Sequence, residues 1–424
     1  MSDYSRIYEE LHAFISPLWV VDTHEHTAVY KSDSNPDYLK TMINTYARMD
    51  LHSAGMAKEM LAKAMDPSLP LLERWALCEP YWKACRNTGY MRMHERVAQE
   101  VYGIREISRD TIEQISVQFA SKDARQSYHE GLERAKILCA IVDSDMDCDR
   151  RHLRPAFRLE EFVERIEIET VRKTLGVSIH TFIDWLDACD EMINRYCDAG
   201  AVAFKTTIAT DRSLNIGYGS YAEAEESFIR SLREDNGYLP PSSAYQEFMF
   251  RHVLSRVQQR GLPVQMHTGM AAGYGNIIPN GNPLQLCPLF LEYKDMDFVI
   301  MHMGYPYQLE IGSLGKMFQN VYPDLSWAYL LSANGAKAAL NEWLDSVPAT
   351  KIMAFGGDCG HENHMYAHLL IAKETVSQVL AQKVAEGCFD LDHAKWMAEQ
   401  MFLMNPYRVF RLEQAGVSLQ KKEE

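Results

Sequence analysis

Short apolar runs rich in Val, Ile and Phe recur along this chain, each followed by a longer amphipathic stretch. A parallel strand is covered on both faces and therefore reads as a short continuous apolar run. Its crossover to the next parallel strand needs a dozen or more residues, usually helical. The alternation predicts βα units and a parallel sheet. Eight candidate strands stand out: Leu18–His24, Ile137–Val142, Leu153–Arg158, Val202–Ile208, Val264–Thr268, Phe298–Gly304, Val321–Ser326 and Ile352–Gly357. The third carries two arginines and a proline and fits the pattern least well. Eight strands close a (β/α)8 TIM barrel, and 424 residues suffice for one α/β barrel domain over 1–424 with insertions.

The spacing is uneven. Residues 27–135 are too long for a simple crossover and carry helical patterns over Pro70–Val101 and Ile107–Phe119. They read as a long helical insertion after strand 1, at the mouth of the barrel. Two further stretches, Asp211–Pro241 and the glycine-rich Gly269–Pro283, follow strands and are candidate lids or plain surface loops. Phe389–Leu412 reads as one or two helices on the barrel's outside, and the tail from Val417 as frayed.

Composition excludes some functions. A net charge of −15 argues against nucleic-acid binding, which needs a basic face. An anionic small substrate stays open, because local charge in a pocket can oppose net charge. No apolar run approaches the ~20 residues of a membrane span, and the first residues lack the basic and apolar segments of a secretory signal. Nine scattered cysteines without a CxxC pair fit a reduced, cytoplasmic setting.

Chemistry concentrates at strand ends. The first strand runs into His24-Glu25-His26. Residues two apart on a strand share a face, so both imidazoles can enter the barrel's C-terminal end as a pair of metal ligands. Glu25 is expected to point away, and Asp22 to support the histidines. Strand five ends at His267, strand six at His302 and strand eight at Asp358. Each alone can be structural: a strand cap, a packed imidazole, a turn aspartate. Together, at the catalytic ends of apolar strands, they point to a metal enzyme.

HxH after strand one, His after strands five and six, and Asp after strand eight resemble the amidohydrolase superfamily. The segments LPVQMHTG, NPLQLCPLFLEY and VIMHMGYPY and the GGD turn are most similar to its amidohydrolase-related (amidohydrolase 2) branch. The long insertion is similar to that of the uronate isomerases, more distant relatives. The resemblance implies one divalent metal, Zn²⁺ or Mn²⁺, held by His24, His26, His267 and Asp358. It makes Asp358 and His302 the catalytic residues, and it implies self-association in many members.

Lys205 on strand four stands where some members carry a carboxylated lysine between two metals and others a free lysine near substrate. It is read here as a substrate-binding cation beside one metal; the alternative is an amine that snorkels to solvent. Arg86 is a second candidate carboxylate clamp, with Arg154 and Arg158, which share a face by spacing, as others. For each arginine the competing reading is a structural ion pair. His361, His364 and His368 have helical spacing and read as a solvated or capping face, with His361 nearest the site. The expected reaction is hydrolysis of a small, carboxylate-bearing amide, lactone or ester. Decarboxylation and uronate-type isomerisation use the same ligands. A non-catalytic, metal-stabilised binding domain is a further possibility.

Overall fold

A computed structural model describes residues 3–26, 37–121, 124–143, 146–233 and 241–419. Seven strands pair in parallel and in sequence order: β1 (Val20–Glu25), β2 (Ile137–Asp143), β3 (Leu153–Phe157), β4 (Ala203–Thr206), β5 (Val264–Met266), β6 (Phe298–Ile300) and β7 (Val321–Pro323). The eighth expected strand is present as an irregular segment with a single parallel bridge, Asp324 to Met353. It still closes the ring. On one side Met353 bonds the backbone of Pro323 and Leu325; on the other, Thr23 donates to the Phe355 carbonyl at 3.1 Å and Asp358 to the His24 carbonyl at 2.8 Å. The α/β barrel expected from the alternation is therefore observed.

Strand alternation separates two apolar clusters. Phe298 and Ile300 face the surrounding helices, while Val299 joins Val21, Ile141, Ala156 and Met353 in a smaller cluster in the lumen. Leu403, Val409, Phe410 and Leu412 belong to that lumen cluster. The C-terminal stretch expected on the outside thus plugs the floor of the barrel. Nor does the tail fray at Val417: the residue is buried, its carbonyl accepts from the Tyr407 hydroxyl at 2.6 Å, and Arg154 donates to the Ala415 carbonyl at 3.0 Å.

Between β1 and β2 the described residues form seven helices, from Tyr38 to Arg134. The helical pattern over Pro70–Val101 resolves into two helices, Leu71–Cys85 and Gly89–Tyr102. Thr88 caps the second, accepting from the Met91 N–H. Gly89 then lies against the backbone of Leu330, where no side chain fits. Residues 27–36 lie outside the described part. Of the candidate lids, Asp211–Pro241 contains the helix Tyr221–Arg233, with 234–240 outside the description, and Gly269–Pro283 is held by one short 3-10 turn, Ile278–Gly281. No helix of the described residues is long and apolar enough to cross a membrane.

Candidate metal centre

The pairing of β1 with β2 slips between Asp22 and Glu25: three steps on β1 match two on β2. This bulge breaks the simple alternation. Glu25, expected to point away, is only 2% exposed and reaches the same place as Asp22. Asp22 Oδ1 accepts from the backbone N–H of His24 (3.1 Å) and Gly357 (3.0 Å), while Glu25 Oε2 accepts from His26 and Cys359 (both 3.2 Å). Asp22 thus supports His24 through its backbone, not its ring, and Glu25 does the same for His26. Burial raises both carboxyls, Asp22 to about 7 and Glu25 well above its usual range, the latter also through the charge of Asp22.

Asp358 stands at the centre of the constellation. Its Oδ1 lies 3.0 Å from His26 Nε2 and 3.7 Å from His24 Nε2, and its Oδ2 lies 3.6 Å from His302 Nδ1. Tyr46, from the helical segment after β1, donates its phenol to Oδ1 at 2.7 Å. The Tyr46 ring packs on Trp327 (centroids 4.7 Å) and Tyr90 (5.3 Å). Asp358, His302 and Trp327 all have φ of +50 to +63°. Left-handed non-glycine backbone costs free energy and gathers at functional sites.

His302 Nδ1 lies 3.2 Å from the Ser326 carbonyl and 3.1 Å from the Ser326 hydroxyl. A carbonyl only accepts, so with that bond made Nδ1 carries the proton and Nε2 keeps its lone pair. The same logic applies to His267: Nε2 donates to the Met270 carbonyl at 3.1 Å, leaving Nδ1 as the basic nitrogen. The His267 and His302 rings are 4.5 Å apart.

Burial pushes the His24 and His302 imidazoles well below their usual range and His267 down to about 3; the Lys205 charge adds to each. Burial opposes ionisation of Asp358, but the neighbouring His24 and His302 and the hydrogen bond from His26 outweigh it and hold the carboxyl well below its usual range. For His26 burial also opposes the charge, and the Asp358 hydrogen bond wins, raising it. Neutral imidazoles at His24 and His267 beside an ionised carboxylate are the state that a divalent ion requires. The donor set therefore fits a metal.

Lys205 is buried at the end of β4 and, among the described residues, makes no ion pair; its ammonium meets the Met301 sulfur at 2.7 Å. Burial lowers it to about 8, with Asp143 opposing the shift. It does not snorkel. Arg86 is not brought to the cluster: it pairs with Glu106 (2.8 Å) and Glu95 (3.4 Å) and its side chain is 49% exposed. Arg154 and Arg158 do not share a face either. Arg154 secures the C-terminal plug, whereas Arg158 reaches the site and holds Asp143, with Nε 2.8 Å from Oδ1 and Nη2 on Oδ2. His364 and His368 are buried, not solvated, and His368 Nδ1 bonds the Gly357 carbonyl at 3.0 Å. His361 caps the helix Glu362–Ala385.

Two residues were missed. Asp143 follows the strand-end rule but lies one step past the expected end of strand two. Its Oδ2 is 4.0 Å from His24 Nε2, and the ligand atoms of His24, His26 and Asp143 lie within 4.8 Å of one another. Tyr46 carried no local signal. A cavity of about 430 Å³ opens beside His26, Asp143, Arg158, Glu160, Glu161 and Tyr196.

Comparison with known proteins agrees with the resemblance carried by the motifs. Residues 220–412 match the family model Amidohydro_2, described as amidohydrolase. This match spans less than half of the chain; with the barrel, it makes the chain similar to the amidohydrolases. Protein fluG of Emericella nidulans is 26% identical over 229 residues, 51% of this chain but only 26% of that protein, so the match spans about a quarter of its length. Among solved structures, uronate isomerase from Thermotoga maritima superposes with a TM-score of 0.78 at 14% identity, covering 96% of this chain and 97% of that one. Glucuronate isomerase from Caulobacter crescentus gives 0.77 at 18% identity over 97% and 95%. A Lactobacillus casei protein proposed to be a metal-dependent hydrolase gives 0.69 at 18% over 96% and 98%. At these identities the overlays establish the fold.

Proposed function

We propose that residues 1–424 form one metal-dependent hydrolase, with 27–135 inserted after the first strand, acting on a small amide, lactone or ester that carries a carboxylate. The observation that carries the reading is Asp358: an ionised, buried carboxylate held between the two β1 histidines and a phenol. His24, His26, His267 and Asp358 would hold a divalent ion, which when bound polarises a carbonyl and lowers the pKa of water to about 7. Zn²⁺ is the expected ion and Mn²⁺ is compatible with the same N/O set.

Asp358 is placed to accept the proton of the attacking water and to return it to the leaving group. His302 acts as a second proton acceptor through Nε2, since its Nδ1 proton is committed to Ser326. Lys205 supplies the buried positive charge for a substrate carboxylate. Tyr46, bonded to Asp358, keeps the carboxylate aimed.

A second reading, isomerisation of a uronic acid by proton transfer, is favoured by the end-to-end superposition on two uronate isomerases, insertion included. Product mass separates the two. Metal-loaded protein is incubated with acidic lactones, N-acyl amino acids, aromatic acids and uronates. Gain of one water supports hydrolysis. Unchanged mass with aldose converted to ketose replaces it with isomerisation, and release of CO₂ replaces it with decarboxylation. If the loaded protein turns over none of them and wild type takes up no metal, the enzymatic reading fails.

A further inference from the structure

The resemblance draws its ligands from strands one, five and eight, and none from strand two. The geometry differs. Asp143, the last residue of β2, brings Oδ2 to 4.0 Å from His24 Nε2, and its ligand atom falls with those of His24 and His26 inside 4.8 Å. His267, by contrast, turns its Nε2 to the Met270 carbonyl.

Asp143 can be explained as the counterion of Arg158 alone, but three features go further. First, the Arg158 contacts do not turn the carboxylate away from the site: Oδ2 stays 4.0 Å from His24 Nε2. Second, Arg158 is itself anchored by Glu160 at 2.7 Å, so the pair brings little net charge and mainly fixes the carboxylate's direction. A carboxylate immobilised beforehand loses little rotamer freedom on binding an ion. Third, carboxylate oxygen and imidazole nitrogen together form a donor set that suits a divalent transition ion.

We propose that Asp143 is a ligand of the metal, supplied by β2, and that Arg158 is its positioning residue. The inference rests on the metal reading above and adds a ligand to it.

The test uses the full chain. Zn²⁺ stoichiometry is measured on purified protein, affinity by chelator competition, and the ligand field by the visible spectrum of the Co²⁺-loaded protein, for wild type, Asp143→Asn, Asp143→Glu and Arg158→Met. Removing the ligand in Asp143→Asn is expected to weaken Zn²⁺ binding about 100-fold, and loss of its support in Arg158→Met about 10-fold. Asp143→Glu is expected to shift the Co²⁺ bands, which decides the matter should Asp143→Asn fail to fold. If Asp143→Asn binds Zn²⁺ as wild type does, or Asp143→Glu leaves the spectrum unchanged, Asp143 is only the counterion of Arg158 and the inference falls. If wild type itself takes up no metal, the proposed function falls with it.

Discussion

The phenol of Tyr46 and the Nε2 of His26 converge on one oxygen, Oδ1 of Asp358, at 2.7 and 3.0 Å. One partner comes from the barrel and the other from the helices inserted between β1 and β2. Any proton that Asp358 accepts must therefore be shared with a group that the barrel does not itself supply. Tyr46→Phe keeps the ring between Tyr90 and Trp327 and removes only the hydrogen bond. A hydrogen bond to a charged group contributes about 1.5–3 kcal/mol, so kcat is expected to fall roughly 10- to 100-fold with metal content unchanged. Equal kcat in the variant would reduce Tyr46 to packing.

His24→Ala and Asp358→Asn remove two of the proposed ligands, 3.7 Å apart across the ring closure. Both are expected to purify with substoichiometric metal and without activity, and to lose the rise in thermal midpoint that added Zn²⁺ gives wild type. A ligand that binds only the folded state stabilises it by about 2.7 kcal/mol at 100 times its Kd. Elemental analysis and thermal scans check this; full metal content in either variant contradicts the assignment.

Buried neutral histidines make the metal-free fold acid-sensitive. Burial lowers His94 to about 3 and His368 to about 4, from an ordinary 6.5. Below 6.5 the unfolded chain takes up protons that the folded chain refuses. Stability is thus complete above that value and is lost as pH falls toward 4, by up to about 1.4 kcal/mol per pH unit for each group. Urea unfolding of the chelated protein at about pH 7, 6 and 5 should show this slope, reduced by one proton in His94→Gln. A slope unchanged in that variant removes His94 from the account.

Gly357 sits where any side chain would collide with Glu25 and approach Asp22. Gly357→Ala is expected to destabilise the protein by about 1–3 kcal/mol and to displace the neighbouring Asp358, lowering metal affinity. Thermal unfolding and metal titration read the two effects separately. Wild-type values for both would mean that the Asp22–Glu25 pair yields without consequence.

The barrel was legible because most strands are short apolar runs followed by longer amphipathic stretches, and several run into a His or Asp. His24, His26, His302 and Asp358 were found by the same rule, and the structure gathers them. The rule failed where local pattern stops carrying the information. The bulge in β1 turned Glu25 inward, and no alternation argument anticipates a slipped register. Arg86 looked free because its partners Glu95 and Glu106 belong to the fold of the insertion, not to its neighbours in a strand. Asp143 was lost to a strand boundary set one residue short. Tyr46 reaches Asp358 across 312 positions of sequence, a distance that only packing closes.

The lumen plug has a consequence for how this chain comes into being. Val21 belongs to the first strand, while its cluster mates Leu403, Val409, Phe410 and Leu412 follow the whole barrel in sequence. Until they leave the ribosome, the growing barrel is a greasy funnel open at its base. Such a nascent chain exposes apolar surface after its strands are made, the kind of species that invites aggregation or a chaperone. Completion of the barrel beneath the candidate site thus waits on a cork made after the last strand.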